Sequence, residues 1–320
     1  MSILITGADG FIGGYLQSYL RTRVDHVNST TYETVNLSDP KSFDSFISNV
    51  SQKPTMLVHC ASAARASGFG YDQDCFTNNI SMFVNLLKYC MANDCFLINL
   101  ASGSDVDRSF WSDSMDEYMY IRHMPSISDI HGYSKNIIST MAGLACYKKI
   151  LNLRLFGVFG EGENYLQKIV PNTIAKCLHG INPLIIRDRL YDYVDVLDLS
   201  RFILYLYKRL SSNDSSLPLL ISSPLDINFS TGSPKSLLSI VKYLATSINK
   251  QLNVSVLHQD MGLAYCGDNT RFNLMFRDFS FSNFNESLDR QIIYYSSAFD
   301  TFSKEALEKD EFIKYAKKIS

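Results

Sequence analysis

The chain lacks most of the features that would place it outside the ordinary globular enzymes. No stretch reaches 18 consecutive apolar residues, so no membrane-spanning helix is expected. The net charge is −2, which gives no electrostatic footprint for nucleic acid or an anionic membrane surface. There is no C-x-x-C, the seven cysteines are scattered, and no His/Cys cluster has metal-ligand spacing, so a zinc site and a disulfide framework are both unexpected. The cysteines read as reduced core thiols of a cytoplasmic protein. No internal repeat and no low-complexity tract interrupts the 320 residues. A strand candidate begins at Ser2, so no signal peptide is expected. What remains is a chain that is 46% hydrophobic and 19% charged, long enough for one large or two modest domains.

The most informative segment is the first. Ile3-Leu4-Ile5-Thr6 reads as a buried parallel strand, three glycines follow at Gly7, Gly10 and Gly13, and an amphipathic run then begins at Phe11 and Ile12. Strand, glycine turn and helix form the context in which a dinucleotide pyrophosphate is bound. One glycine makes the turn, one lets the backbone approach the phosphates, and one lets helix and strand pack closely. The helix N-terminus supplies N–H groups and the positive end of a dipole.

Beyond this unit, strand and helix signals alternate. Strands are expected at 2–6, 26–29, 33–36, 56–60, 96–101, 150–156 and 218–222, with helices at 10–20, 40–50, 74–92 and 133–148. Alternation predicts an α/β fold with a doubly wound parallel sheet. After about residue 159 the pattern is less regular: helices at 169–179, 197–210 and 234–248, a strand at 183–186, and a polar loop at 211–216.

Chemistry-bearing residues follow the strands. His59-Cys60-Ala61-Ser62-Ala63 places small residues at a strand's carboxyl end, where a cofactor can approach. Asn78-Asn79 stands near the start of a long helix, where an asparagine caps the helix or holds a loop. Ser102-Gly103-Ser104 ends another strand, and His131-Gly132-Tyr133-Ser134-Lys135 opens a helix. Later come Leu153-Arg154-Leu155-Phe156-Gly157-Val158-Phe159-Gly160 and Asp192-Tyr193-Val194-Asp195-Val196-Leu197-Asp198.

These motifs, in this order, resemble the extended short-chain dehydrogenases/reductases of the NAD-dependent epimerase/dehydratase family, which modify nucleotide-linked sugars. The resemblance covers nearly the whole chain. It implies a Rossmann domain from 1–158 with about 193–225, and a smaller nucleotide-sugar-binding α/β domain from 159–192 with 226–320. It implies NAD or NADP held by Gly7, Gly10, Phe11, Ile12, Gly13, Cys60, Ala61, Ser62, Asn79 and Lys135. It places Ser102 and Lys135 in catalysis, and Ser104, Tyr133, Arg187, Arg189, Tyr191 and Arg271 against the nucleotide sugar. The family implies a homodimer through a four-helix bundle, and the helices at 74–92 and 133–148 carry more apolar surface than one sheet face needs. A place in surface-polysaccharide or O-antigen sugar synthesis follows from the resemblance alone.

The chain departs from the family pattern at four places. The Y-G-x-S-K pair becomes His131…Lys135, with a histidine where the tyrosine belongs. An imidazole can do acid–base work, but it is shorter than a phenol by about 2 Å. Three readings stay open: His131 is the working acid/base, Tyr133 or another group is recruited, or the site is degenerate. No Asp-Glu follows Ser102, which argues against a 4,6-dehydratase. Residues 26–31 hold neither an acid for an NAD ribose nor an arginine for an NADP phosphate. Tyr191 stands where an arginine often precedes the Asp192 motif. The expected activity is therefore an epimerase or 4-keto reductase with Ser102, His131 and Lys135 at sugar C4. The alternative is a non-catalytic partner or regulatory subunit that kept the fold.

Overall fold

A computed structural model of the chain describes residues 1–63, 72–212, 225–310 and 313. The element order is β1 (Ile3–Thr6), α1 (Phe11–Arg21), β2 (Val27–Ser29), α2 (Pro40–Ser48), β3 (Met56–His59), α3 (Gln73–Asn93), β4 (Phe96–Ser102), α4 (Met119–Arg122), α5 (Ile130–Leu144), β5 (Ile150–Leu155), β6 (Gly157–Phe159) and α6 (Ile169–Leu178). It continues with β7 (Leu184–Arg187), β8 (Leu190–Tyr191), β9 (Tyr193–Asp195), α7 (Val196–Ser211), β10 (Leu225–Phe229), β11 (Lys235–Ser236), α8 (Leu237–Ile248), β12 (Ser255–His258), α9 (Thr270–Met275), α10 (Phe284–Ser297) and α11 (Lys304–Lys309).

Six strands pair in parallel in the order β10-β5-β4-β3-β1-β2, the doubly wound Rossmann-type sheet expected from the alternation. Strands β1, β3 and β5 are buried along their full length, as a sheet covered by helices on both faces requires. One face packs Ile3, Ile5, Val58 and Ile98 against Leu16, Leu20, Phe202 and Leu206 of α1 and α7. The other packs Leu4, Leu57 and Leu97 against Phe43, Phe83, Leu86 and Ile138 of α2, α3 and α5. The chain runs from β1 outward to β2 and then returns to β3 on β1's other side. The order reverses there, which opens a crevice beyond the carboxyl ends of β1 and β3.

Three expectations change. Residues 33–36 form no strand: Thr31 and Thr34 exchange backbone-to-hydroxyl hydrogen bonds (2.9 and 3.3 Å) that close a turn, while Val35 still enters the core. Helix α5 starts at Ile130 rather than at 133, because the Asp129 carboxylate caps it by accepting the Gly132 N–H at 3.1 Å. The sixth strand is β10 at Leu225–Phe229, which begins at the boundary expected at about 225, and Phe272, Phe276, Phe279 and Phe281 also pack on the first core. The strand expected at 218–222 lies outside the described residues.

A further core joins Phe159, Ile174, Ile240, Leu288 and Phe302 beneath α6, α8, α10 and α11. The Asp192 motif builds the join to this region. Asp192, fully buried, accepts from Ser230 Oγ (2.6 Å), Thr231 N (2.9 Å), Thr231 Oγ1 (2.6 Å) and Gly232 N (2.8 Å). Asp195 caps α7 and pairs with Arg290 at 2.8 Å. Asp198 holds Arg201 and both donors of Ser282. The three carboxylates are loop clamps and a cap.

Candidate active site

The crevice is assembled first from backbone. Gly7 has φ +67°, and a Cβ on it would lie 2.7 Å from the Ala61 Cα. A Cβ on Gly13 would lie 2.1 Å from the Gly7 carbonyl oxygen, so turn and helix can meet only without one. Gly10 differs: a Cβ there would meet nothing closer than the Gly7 oxygen at 3.4 Å. The protein alone does not demand a glycine at 10, and a side chain would fill the cradle in front of α1. Gly10 is also the N-cap of α1 and supplies no side-chain cap. Open space, an uncapped helix N-terminus and no acid in the first turn fit a dinucleotide pyrophosphate.

Across the crevice, Thr6 Oγ1 lies 2.9 Å from His59 Nδ1 and accepts the N–H groups of Cys60 and Ala61, both at 3.2 Å. Burial, then the Lys135 charge, pushes His59 down to about 3, so it is a neutral structural stitch. Burial pushes the Cys60 thiol up to about 12. Asn79 spends its amide on the loop, accepting from Ala63 N (2.7 Å) and donating to Ala63 O (3.3 Å). It supports the wall of the crevice from beneath, while Asp72 caps α3.

Lys135 and His131 are one turn apart on α5 and so share a face. Lys135 Nζ donates to the Leu100 carbonyl of β4 at 2.9 Å and lies near Cys60. Burial lowers it to about 8, which leaves it mostly charged at neutral pH. Burial first, then repulsion by Lys135, pushes His131 down to about 3, so the imidazole is neutral. Ser102 Oγ accepts the Ser104 N–H at 3.2 Å, lies 2.8 Å from Ser104 Oγ and 3.4 Å from the Tyr265 hydroxyl.

The platform beneath this group is pinned by Asp105. Arg154 Nε donates to both Asp105 carboxylate oxygens (3.1 and 2.9 Å), Ser139 Oγ donates at 2.9 Å, and Asn136 donates to the Asp105 carbonyl at 2.8 Å. Ion pair and helix together lock the end of β4 to α5 and β5. At Gly132 a Cβ would fall 2.5 Å from the Ser104 carbonyl oxygen, so the helix docks at close range.

The structure separates some of the residues grouped from sequence. Ser104 is buried and its hydroxyl is spent on Ser102. Tyr133 packs on Phe76 of α3, ring centroids 5.5 Å apart, and faces the neighbouring helix. Arg271 donates to the Asp226 carbonyl at 3.1 Å and lies over the Tyr118 ring, and Arg187 pairs with Asp260 at 3.4 Å. The Arg271 guanidinium is engaged in the scaffold, and that of Arg187 in an ion pair with an exposed carboxylate. Arg189 and Tyr191 do stay together: the Arg189 charge acts on the Tyr191 hydroxyl, and Tyr191 stacks on Tyr193 and meets Tyr265 edge-on.

Sequence reasoning missed Arg108, Trp111 and Tyr265. Arg108 bonds Asp129 at 2.7 Å and lies over Trp111, whose ring meets Tyr265 at 4.3 Å. Tyr265 is 163 residues from Ser102 and sits in no periodic element; the glycines at 103 and 267 were its only trace.

A model of the NAD dependent epimerase/dehydratase family matches residues 3–218, more than half of the chain, and the chain belongs to that family. Among solved structures it is similar to a GDP-L-fucose synthetase from Naegleria fowleri bound to NADP (15% identity, 94% of each chain, TM-score 0.74). It is also similar to a GDP-mannoheptose C4 reductase from Campylobacter jejuni with NADP bound (14%, 92% of this chain and 98% of that one, TM-score 0.74). A UDP-glucose 4-epimerase from Thermus thermophilus in complex with NAD matches at 18% identity over 93% of this chain and all of the other, with a TM-score of 0.69. No curated protein matches by sequence. Among the described residues there is no candidate metal cluster and no helix long and apolar enough to cross a membrane.

Proposed function

We propose that the protein is an NAD(P)-dependent epimerase or 4-keto reductase of a nucleotide-diphosphate sugar, with Ser102, His131 and Lys135 in place of the usual serine, tyrosine and lysine. The observation that carries the reading is Lys135: its ammonium is anchored on the β4 carbonyl edge near the end of β3. Among the described residues no carboxylate forms an ion pair with it, although burial lowers its pKa. Gly7, Gly10, Gly13, Phe11, Ile12, Cys60, Ala61 and Ser62 would hold the dinucleotide, which when bound supplies or takes a hydride at sugar C4. Ser102 orients the reacting oxygen by hydrogen bond, neutral His131 borders it, and Lys135 holds the nicotinamide ribose. Arg189 and Tyr191 are the residues of the predicted sugar-nucleotide set that remain beside the site.

Of the two cofactors the geometry supports NAD. No carboxylate directly follows β2, but Asp9, held by the Tyr32 N–H at 3.1 Å, places one at the end of that strand. A fixed negative charge there suits a ribose hydroxyl and repels a 2′-phosphate. A homodimer through α3 and α5 is part of the same reading; Met91 and Leu144 on these helices are 48% and 79% exposed. Light scattering showing a monomer at micromolar concentration would remove it. A cytoplasmic setting accords with seven cysteines that form no disulfide.

The test is calorimetric binding of NAD(H) and NADP(H), then turnover on nucleotide sugars and 4-keto sugars by wild type, His131→Phe and His131→Tyr. Turnover by wild type supports the reading, and its loss in His131→Phe with cofactor binding intact would assign the proton to His131. An inert wild type that gains activity in His131→Tyr favours the non-catalytic alternative.

A further inference from the structure

We propose that Tyr265 is the proton donor at the reacting sugar oxygen, a phenol supplied from the carboxyl-terminal half of the chain where position 131 offers none. The proposal rests on the nucleotide-sugar reading above. Ser102 Oγ has Ser104 on one side, through both the N–H and the hydroxyl, and the Tyr265 hydroxyl at 3.4 Å on another. Two hydroxyls at that separation can both reach a single oxygen seated between them at ordinary bonding length.

The phenol is held there by construction. Tyr265 is only 6% exposed, wedged between Trp111 (4.3 Å), Phe156 (5.3 Å) and Tyr191 (5.6 Å). Its N–H donates to the Leu190 carbonyl at 2.9 Å and its backbone bridges to Tyr191, so the segment is tied to β8. Gly103 makes the approach possible. A Cβ on the residue after Ser102 would lie 2.6 Å from the Phe156 ring and 3.1 Å from Tyr265 Cε2. At Gly267, two residues after the tyrosine, a Cβ would come within 2.2 Å of the same Phe156 ring. Both glycines clear the space that lets the aromatic wedge press the phenol against the serine.

The electrostatics of the two rings are complementary. His131 is held neutral by burial and Lys135, so imidazolium is too scarce near pH 7 to deliver a proton. Burial acts on Tyr265 in the other sense and raises its pKa; Asp105 and Tyr191 add to this, while the Ser102 hydrogen bond and Arg108 oppose it. The phenol stays protonated through the working range. In the reductive direction a nicotinamide cofactor held by the glycine turn and Lys135 would supply the hydride of the new C–H bond as the carbonyl π bond breaks. The oxygen takes the proton as the Tyr265 O–H bond breaks, and the phenolate regains a proton from water.

The test compares wild type and Tyr265→Phe. Phenylalanine keeps the ring and its packing and removes only the hydroxyl. Two measurements are made with UDP-glucose, GDP-mannose and GDP-4-keto-6-deoxymannose as probes. The first is 13C NMR of protein labelled at tyrosine Cζ, where the line missing from Tyr265→Phe is that of Tyr265. The second is turnover across pH 6–9. The expected result is a Tyr265 line that moves when a probe binds. Probe affinity in Tyr265→Phe should stay within about threefold, and kcat should fall roughly 10²–10³-fold and decline as pH rises, because solvent must now supply the proton. If a probe binds and the line stays still, or kcat and its pH profile match wild type, Tyr265 is overturned and the nucleotide-sugar reading survives. If no probe binds to wild type, both fall.

Discussion

The two halves of the crevice are built in different ways. The half proposed to hold the cofactor is made of backbone: a glycine turn, a helix N-terminus and strand ends drawn mostly from the first 63 residues. The half proposed to take the substrate is made of side chains brought from distant segments: Ser102 from β4, Arg108 and Trp111 from the loop after it, Tyr191 from β8 and Tyr265 from the carboxyl-terminal part. A backbone site tolerates almost any residue that keeps the shape, and fails when a Cβ intrudes. A side-chain site fails when the platform under it shifts.

The largest effect is expected at that platform. Arg154 and Asp105 are both buried, 1% and 0% exposed. Arg154→Met leaves Asp105 without its charge partner and should cost about 3–5 kcal/mol. Urea denaturation reads the loss. A change under about 1 kcal/mol would show that the substrate half does not depend on this pair. The glycines sharpen the contrast. Gly13→Ala forces a Cβ into the Gly7 carbonyl and should cost about 1–3 kcal/mol. Gly10→Ala should fold like wild type and lose affinity for NAD roughly tenfold, about 1.4 kcal/mol. Melting temperatures and calorimetry on the pair test both; equal stability losses would refute the cradle.

Protonation separates the halves more gently. His59 in the cofactor half and His131 in the substrate half both fall to about 3 from an ordinary 6.5. The unfolded chain therefore binds more protons between pH 6.5 and 3, so each histidine contributes stability that is present above pH 6.5 and lost as pH falls toward 3. Glu163 pulls the other way: burial raises it to about 8 from 4.5, so its contribution is lost as pH rises from 4.5 through 8. Urea titrations at pH 5, 6 and 7 should show a slope shallower by up to about one proton in His131→Asn than in wild type, and an unchanged slope would show that the imidazole is not buried neutral. The smallest effect is expected from Tyr133→Phe, whose ring lies on Phe76. Its kcat should stay within about twofold, and a large drop would move the tyrosine back into the site.

Legibility from sequence follows the same division. The turn at Gly7–Gly13, the strand alternation and the pairing of His131 with Lys135 were readable because each is a pattern within a dozen residues. The strand expected at 33–36 failed because two threonines closed a turn through their own hydroxyls, which competes locally with pairing. Tyr133 and Arg271 were misplaced for a different reason. Residue type says what a side chain can bind, but helix rotation and packing decide where it points.

The sequence by itself determined the doubly wound sheet and the tight glycine turn between β1 and α1, because periodicity and glycine sterics act over short chain distances. Only the tertiary structure decided how far burial lowers His131, since desolvation depends on what surrounds the ring. It also decided that a tyrosine 163 residues away borders Ser102, because no local rule couples the end of β4 to a loop after β12.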